Sequence, residues 1–171
     1  MEKKKSFFNS FIFDFLVAFL CCTLLFNFVL KPCQVDGTSM VPTLADGDKG
    51  YSFIITKKLG IKRFDICIIQ ATLEGKDRLL VKRCIGMPNE TIEYKDNRLY
   101  INDEYVPEDF VKENSVTNDF KVELGEDEYY CLGDNRNVSR DSRFYGSFSS
   151  KDILATNFFA IYPFKNFGVK K

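Results

Sequence analysis

Length, composition and charge narrow the range of functions before any motif is considered. The chain has 171 residues, about one domain, and its 24 basic and 24 acidic residues cancel, so nucleic acid is not an expected partner. It contains no histidine. That excludes a Ser-His-Asp triad and a histidine-based zinc site, and it leaves acid–base chemistry to Lys, Asp, Glu, Tyr or Cys.

The chain begins with a basic segment that is followed by a long apolar one. Residues 1–10 contain three consecutive lysines, and residues 11–30 are almost entirely apolar. That length matches the ~20 residues that a helix needs to cross a bilayer. A cleaved secretory signal is the alternative, but its apolar region usually has only ~7–15 residues and a small-residue cleavage site. We therefore predict a cytoplasmic tail at 1–10, a transmembrane anchor in the lipid bilayer at 11–30 and, by the positive-inside rule, an extracytoplasmic domain at 31–171.

The segment from 31 to 171 is patterned mostly as short strands. Apolar, β-branched runs bounded by turn residues predict strands at 51–56, 65–70, 78–85, 91–94, 98–101, 128–132 and 157–162. Residues 151–154 suit either a helical turn or the start of a strand. About 91–128 is expected to form a hairpin and a polar excursion outside the chemistry. The predicted fold class is mostly β, an antiparallel β-sheet domain tethered by one N-terminal transmembrane helix.

The cysteines outside the apolar run have no metal-ligand spacing. Cys33, Cys67, Cys84 and Cys131 form no CxxC pair. Free thiols packed in a core and disulfides in an extracytoplasmic domain both fit them.

Ser39 lies in the stretch Gly37–Leu44, shortly after the apolar run. Pro42 has a fixed φ and pushes Val41 toward an extended conformation, so the serine precedes a stiff turn. On this stretch alone, Ser39 is either an ordinary turn residue or a nucleophile.

Lys82 interrupts an apolar strand that runs from Leu79 to Ile85. If its face of the strand is buried, the lysine is desolvated and its pKa falls, which makes the neutral amine a usable general base. The alternatives are a lysine that faces water at a sheet edge, or Arg83 as the inward residue.

The stretch from Gly133 to Gly146 is dense in Asn, Asp, Ser and Arg. It is either a solvated loop or a structured loop braced by Arg–carboxylate pairs.

Together, these three features resemble the bacterial type I signal peptidases, or leader peptidases, which use a Ser–Lys dyad. The resemblance rests on Ser39–Leu44, Lys82–Pro88 and Gly133–Gly146 in this order behind an N-terminal anchor, with a weaker match at Arg63–Ile66. It covers nearly the whole chain, and the ordered set is highly specific. The missing histidine excludes the eukaryotic-like branch, which has histidine in place of the lysine.

The resemblance implies a bacterial membrane-bound serine endopeptidase with the signal-peptidase β-fold and neither cofactor nor metal. Ser39 matches the nucleophile and Lys82 the general base. Ser139 matches the hydroxyl that bonds and orients the lysine. Charged residues that brace the site are matched by Arg83, Asp134, Asp141 and Arg143.

The implied substrate is a secretory preprotein, bound as an extended strand beside the site and cut after small residues. The residues expected to bind or shape its site are Asp36, Gly37, Met40, Leu80 and Val81. The Ser39 N–H would supply one oxyanion donor. Gly37 replaces a hydroxyl donor that some members have, which leaves water, Thr38 or fewer donors as the alternatives.

The sequence departs from the family at Phe64 and Asn89, where glycine is usual, which leaves the geometry of those loops open but not the chemistry. Two other functions remain open. One is a Ser–Lys peptidase dedicated to one substrate class, such as a pilin, toxin or conjugation protein. The other is an anchored β-domain that binds partners without catalysis.

Overall fold

One long helix opens the chain and leads directly into the first strand. The computed structural model describes residues 2–73 and 75–170, and α1 covers Glu2–Phe28. Within α1, Ser10–Phe28 has a mean hydropathy of 2.2 and is not buried against the rest of the chain, so by length and composition it is able to cross a membrane. Its 19 residues span about 28 Å as a helix, close to the thickness of the hydrocarbon core.

The helix boundaries differ from the sequence-based expectation at both ends. The predicted tail at 1–10 is helical from Glu2, and α1 ends at Phe28 instead of Leu30. Leu30 already belongs to a strand that contains Pro32. Pro32 cannot donate a ladder hydrogen bond, and this strand lies at the sheet edge, where that loss is tolerated.

The remaining chain is mostly antiparallel strands, which confirms the predicted fold class. In chain order the strands are β1 Leu30–Gln34, β2 Lys49–Phe53, β3 Ile66–Leu73, β4 Lys76–Gly86, β5 Thr91–Lys95, β6 Arg98–Ile101, β7 Glu104–Val106, β8 Phe120–Glu123, β9 Tyr130–Leu132, β10 Ile153–Tyr162 and β11 Gly168–Lys170. Short helices are α2 Ile54–Lys58 and α3 Ser142–Tyr145, with a 3₁₀ turn at Phe164–Asn166.

The strands form two sheets. The larger sheet has the order β1-β2-β10-β3-β4-β9, with β11 added beside β10. The smaller has the order β7-β6-β5-β8. β4 therefore lies between β3 and β9 in the larger sheet, and the chain between β4 and β9 forms the whole of the smaller one.

Three details of the strand prediction were wrong. The strand expected at 51–56 ends at Phe53, and Ile54–Lys58 is helical. The polar excursion contains β7 and β8, which complete the smaller sheet. The strand expected at 157–162 begins earlier, at Ile153, so of the two alternatives for 151–154 the strand start is confirmed. A φ of 61° at Asn157 and a register shift against β2 mark a bulge within β10.

Three buried clusters form the core. The first joins the smaller sheet to the ends of β4 and β9 around Ile85, Tyr94 and Leu132. The second contains three of the cysteines, Cys67, Cys84 and Cys131, which are free thiols that are fully buried. The third packs Met40 and Leu44 against Phe158, which fixes the Ser39 turn on the larger sheet.

Candidate active site

The turn that carries Ser39 is anchored on both of its flanks. Residues Ser39–Thr43 form successive turns, and the next residue, Leu44, donates its N–H to the Met40 carbonyl at 2.9 Å. The side chains of Met40 and Leu44 are fully buried, so burial of each contributes about 1.5–3 kcal/mol toward holding the turn. The half-buried Ser39 is thus presented from a backbone that packing holds in place.

Lys82 reaches this turn from the middle of the larger sheet. Its Cα pairs with that of Cys67 on β3, and its side chain is only 4 % exposed. Lys82 Nζ lies 2.8 Å from Ser39 Oγ and donates to the Val81 carbonyl at 3.0 Å. The hydroxyl and the amine are within proton-transfer distance of each other.

The surroundings of Lys82 disfavour its charged form. Burial lowers the pKa of Lys82 to about 8, although nearby Asp141 acts in the opposite direction. A neutral amine is therefore available to a substantial fraction of the molecules slightly above neutral pH. This is the protonation state that a general base requires.

Arg83 is buried as well, on the opposite face of β4. It is 1 % exposed, and it forms a bidentate ion pair with Asp134 through Nε at 2.8 Å and Nη2 at 2.7 Å. Thr43 joins the pair, because its hydroxyl donates to Asp134 and accepts from Arg83. Both residues 82 and 83 point inward because both faces of β4 are covered here. This cluster ties the Ser39 turn, β4 and the loop after β9 together.

The loop at 133–146 is structured by charge-assisted hydrogen bonds. Asp141 accepts from the Gly133 N–H at 3.0 Å and from the Arg143 guanidinium at 2.9 Å. Arg143 also donates to the Arg136 carbonyl at 2.8 Å. The loop docks on the nucleophile turn through the Asn135 N–H, which donates to the Ser39 carbonyl at 3.0 Å.

Comparison with known proteins identifies the family. The profile described as signal peptidase, peptidase S26, matches residues 8–162. A signal peptidase I of Bacillus licheniformis is 36% identical over 95% of this chain and 92% of its own length. Signal peptidase I S of Bacillus subtilis is 37% identical over 86% of this chain and 85% of its own length. The chain belongs to the signal peptidase family. It is therefore a serine endopeptidase, which is a hydrolase.

A solved structure from the same family is also similar. A crystal structure of a signal peptidase I from Enterococcus faecalis V583 is 34% identical, covers 56% of this chain and 95% of that chain, and has a TM-score of 0.48.

Among the residues expected at a signal peptidase site, Ser139 is placed close to the dyad without the predicted hydrogen bond. Its Oγ is buried and has no hydrogen-bond partner within residues 2–73 and 75–170, so the expected bond to Lys82 is not formed. A Cβ built on Gly133 would lie 2.3 Å from Ser139 Oγ and 2.5 Å from the Ser39 carbonyl oxygen. The hydroxyl and the nucleophile turn therefore converge over Gly133.

The residues expected to bind substrate separate into two groups. A cleft of about 350 Å³ beside the dyad is lined by Asp36, Gly37 and Leu80, together with Ser39 and Lys82. The assignment of Met40 to substrate binding was wrong for its side chain, because it is fully buried in the core. The half-buried Val81 packs its side chain against that same cluster and offers its carbonyl to Lys82.

Gly37, which replaces a possible hydroxyl donor, has a left-handed backbone conformation. Its φ is 90°, and a Cβ there would meet open space, so glycine is favoured by conformation and not by a close neighbour. Its N–H donates to Asp46 at 2.8 Å. Among the described residues the Ser39 N–H donates no hydrogen bond, which leaves it available as an oxyanion donor.

Phe64 and Asn89, which replace the usual glycines, both adopt left-handed backbone conformations. Their φ values are 68° and 63°. The loop geometry that glycine favours is thus kept at a cost in strain, which is small for Asn and larger for Phe. Phe64 has offsetting contacts, because its carbonyl accepts from Arg83 and its ring packs against Phe110.

Sequence reasoning missed residues that bind the site together. Arg136 donates to the Gly133 carbonyl at 2.9 Å and pairs with Glu108 at 2.6 Å. These bonds link the loop at 133–146 to the polar segment that follows β7. Thr43 and Asn135 also make connecting hydrogen bonds. Arg136 and Asn135 belong to the loop that its composition singled out, but nothing in the sequence indicates their partners. Across the described residues, no group of three or more His, Cys, Asp or Glu is arranged to hold a metal ion.

Proposed function

We propose that this chain is a membrane-anchored peptidase that removes N-terminal signal peptides from exported preproteins, with Ser39 as nucleophile and Lys82 as general base. The observation that carries the proposal is the 2.8 Å separation of Lys82 Nζ and Ser39 Oγ in a buried setting. Families of this kind use a Ser–Lys dyad as a variant of triad catalysis. The lowered pKa of Lys82, about 8, supplies a neutral amine without a histidine.

The chemistry follows from this geometry in two stages. Neutral Lys82 accepts the Ser39 proton while Oγ attacks the scissile carbonyl, and the resulting ammonium then protonates the leaving amine. The Ser39 N–H is positioned to stabilise the oxyanion. In the second stage Lys82 takes a proton from water as the water oxygen attacks the acyl-enzyme ester. The bond to Ser39 Oγ then breaks, and Lys82 returns the proton to Oγ, which restores the free serine and the neutral amine.

The buried charges keep this arrangement rigid. The Arg83–Asp134 pair holds the nucleophile turn through Thr43, and Asp141 fixes the loop through Gly133 and Arg143. We assign Ser139 the role of bonding Lys82 during turnover, because its buried hydroxyl has no other partner among the described residues. Arg83, Asp134, Asp141 and Arg143 act by positioning, since none of them hydrogen-bonds Ser39 Oγ or Lys82 Nζ.

The substrate binds as an extended strand at the open cleft. Asp36, Gly37 and Leu80 line this cleft and are assigned to the segment before the cut, together with the backbone of the neighbouring β4 residue Val81. Small side chains suit a narrow site of this kind beside Ser39. The membrane helix α1 keeps the site near substrates in the same bilayer, with the N-terminus cytoplasmic and the peptidase domain outside a bacterial cell membrane.

The test is cleavage of purified preproteins by the detergent-solubilised chain. Ser39→Ala and Lys82→Ala are each expected to abolish cleavage while the protein folds. Lys76→Ala is the matched control, because Lys76 is an exposed lysine on the same strand. Near-normal cleavage by Lys82→Ala would overturn the dyad. A panel of unrelated preproteins separates a general signal peptidase from one dedicated to a single substrate class, and protease treatment of intact spheroplasts tests the orientation.

A further inference from the structure

A second, larger cleft adjoins the catalytic one. It has a volume of about 850 Å³ and lies between residues 136–144 of the loop at 133–146 and residues 116–122, which lead into β8 of the smaller sheet. Val138 and Arg140 line both clefts, so these two side chains form the wall that the clefts share. A chain that leaves the catalytic cleft on this side passes over them.

Three exposed apolar side chains lie among the polar residues that line the second cleft. Val116, Val138 and Phe144 are 63%, 58% and 68% exposed. Isolated exposed apolar residues are ordinary, but three around one concave surface suit contact with another chain. Because the second cleft lies next to Ser39 and Lys82, the substrate polypeptide is the chain expected to contact it.

Arg140 supplies an uncompensated positive charge at the junction. The other cations that line the second cleft each have a carboxylate partner: Arg143 pairs with Asp141, Arg136 with Glu108 and Lys121 with Glu93. Arg140 is exposed and forms no ion pair or side-chain hydrogen bond within the described part of the chain. Asp119 is the one carboxylate among the described lining residues, and it accepts the Asp96 N–H at 3.1 Å.

We propose that Val138 and Arg140 receive the substrate residues that follow the scissile bond, and that Arg140 favours an acidic side chain there. The proposal rests on the function proposed above. Asp36, Gly37 and Leu80 are assigned to the segment before the cut, which leaves Val138 and Arg140, the two residues that the catalytic cleft shares with the second cleft, for the segment after it. The mature protein's first residues then enter the second cleft, where the apolar side chains contact their stems and the guanidinium meets a carboxylate.

The charge preference is expected to be modest because Arg140 is exposed. Ion pairs between exposed groups contribute little, which corresponds to about a two- to fivefold difference in kcat/KM between acidic and basic substrates. Salt should reduce that ratio, since exposed charges are screened over about 10 Å at 0.1 M ionic strength.

Peptides that share one sequence before the cut, and carry Asp, Asn or Lys at the second and third positions after it, test the proposal. We expect the full-length enzyme in detergent to cleave them in the order Asp, Asn, Lys. Arg140→Glu should reverse this order and Arg140→Gln should abolish it. Arg98→Glu is the matched control, because Arg98 is an exposed arginine on β6, and it should keep the wild-type order.

The ratio between peptides decides the outcome. If a variant loses activity in general, the cleavage rates of all three peptides fall together and the ratios between them can still be measured. Arg140→Gln removes the charge without reversing it, so it perturbs the fold less than Arg140→Glu. If Arg140→Glu keeps the wild-type order, or if Arg98→Glu reverses it as well, the proposal is wrong. Such a result would leave the Ser39–Lys82 dyad untouched, since the dyad fails only if its own variants cleave these peptides.

Discussion

Lys82 Nζ and Ser39 Oγ lie 2.8 Å apart although 43 positions separate the two residues in sequence. Each is held by its own support, Lys82 by pairing within the larger sheet and Ser39 by the buried side chains that flank its turn. The contact therefore exists before substrate arrives. Prior arrangement of this kind removes the orientation cost from the chemical step.

Replacing Lys82 with Met should abolish activity and at the same time stabilise the fold. Met has a similar length and no charge to desolvate, whereas the lowered pKa of Lys82 means that its ammonium is disfavoured in the folded state. The change from 10.5 to about 8 corresponds to about 3 kcal/mol as an upper figure. Peptide cleavage and thermal unfolding at pH 7 check both effects.

The stability advantage of Lys82→Met over the wild type should shrink as the pH rises. Below pH 8 lysine is charged in both states, so the penalty is complete, and it disappears as pH rises from about 8 to 10.5. Wild-type stability should rise over that interval relative to Lys82→Met. A variant that is less stable than wild type at pH 7, or that still cleaves, contradicts this account.

The rate should follow the neutral fraction of Lys82. Well below the pKa of about 8, kcat/KM should rise nearly tenfold per pH unit, and it should level off above pH 9. Between pH 6 and the plateau the expected gain is about a hundredfold. Peptide cleavage measured from pH 6 to 10 tests this, and a flat profile would argue against Lys82 as the base.

The dyad and the fold class could be predicted from sequence, whereas the connections between elements could not. Lys82 interrupts an apolar strand and Ser39 precedes a stiff turn, but these patterns left both roles open, and the pairing came from the resemblance to signal peptidases. The sequence did not show whether Lys82 or Arg83 points inward, because successive side chains of a strand lie on opposite faces of the sheet. Both are buried because both faces of β4 are covered at this point. The partner of Arg136 lies 28 positions away in a polar segment without a periodic pattern.

Two predictions from local sequence were wrong because tertiary contacts determine the structure at those positions. Ile54–Thr56 read as the end of a strand, but Thr56 instead bonds the Phe53 carbonyl inside the short helix α2 and contacts Thr156 of β10. Met40 was expected at the substrate site because the resemblance matches it to a position that shapes the nucleophile turn. Its side chain turns inward, since an apolar side chain in a turn gains more from the core than from the cleft.

Ser139→Ala should reduce turnover without reducing stability. The Ser139 hydroxyl is buried without a partner among the described residues, and an unmet buried hydroxyl costs about 1–3 kcal/mol, so its removal should be neutral or stabilising. If the hydroxyl orients Lys82 during turnover, kcat should fall while KM changes little. Ser139→Thr, which retains a hydroxyl, should recover part of the rate. Unchanged kcat in Ser139→Ala would show that the hydroxyl has no positioning role.

Breaking the Arg83–Asp134 pair should destabilise the protein strongly. Asp134→Ala leaves a guanidinium that is 1 % exposed without its counter-ion, which typically costs about 3–5 kcal/mol. Glu93→Ala is the matched control. It removes a carboxylate from the pair with Lys121, whose side chain is 52% exposed, so the cost should stay below about 1 kcal/mol. Denaturant unfolding compares the two, and equal losses would contradict the assigned role of the buried pair.

Gly133→Ala should disable the enzyme through a steric clash at the dyad. The added methyl group would lie 2.5 Å from the Ser39 carbonyl oxygen and 2.6 Å from Ser139 Cβ, which are distances that bonded neighbours alone reach. Either the loop or the nucleophile turn must move, and a displacement of about 1 Å at a reacting group costs on the order of a hundredfold in rate. Gly125→Ala is the control, because its nearest contact would be 3.5 Å, to the Glu128 carboxylate. Cleavage rates and melting temperatures of both variants provide the test, and a Gly133→Ala enzyme as active as Gly125→Ala would show that this loop does not fix the position of Ser39.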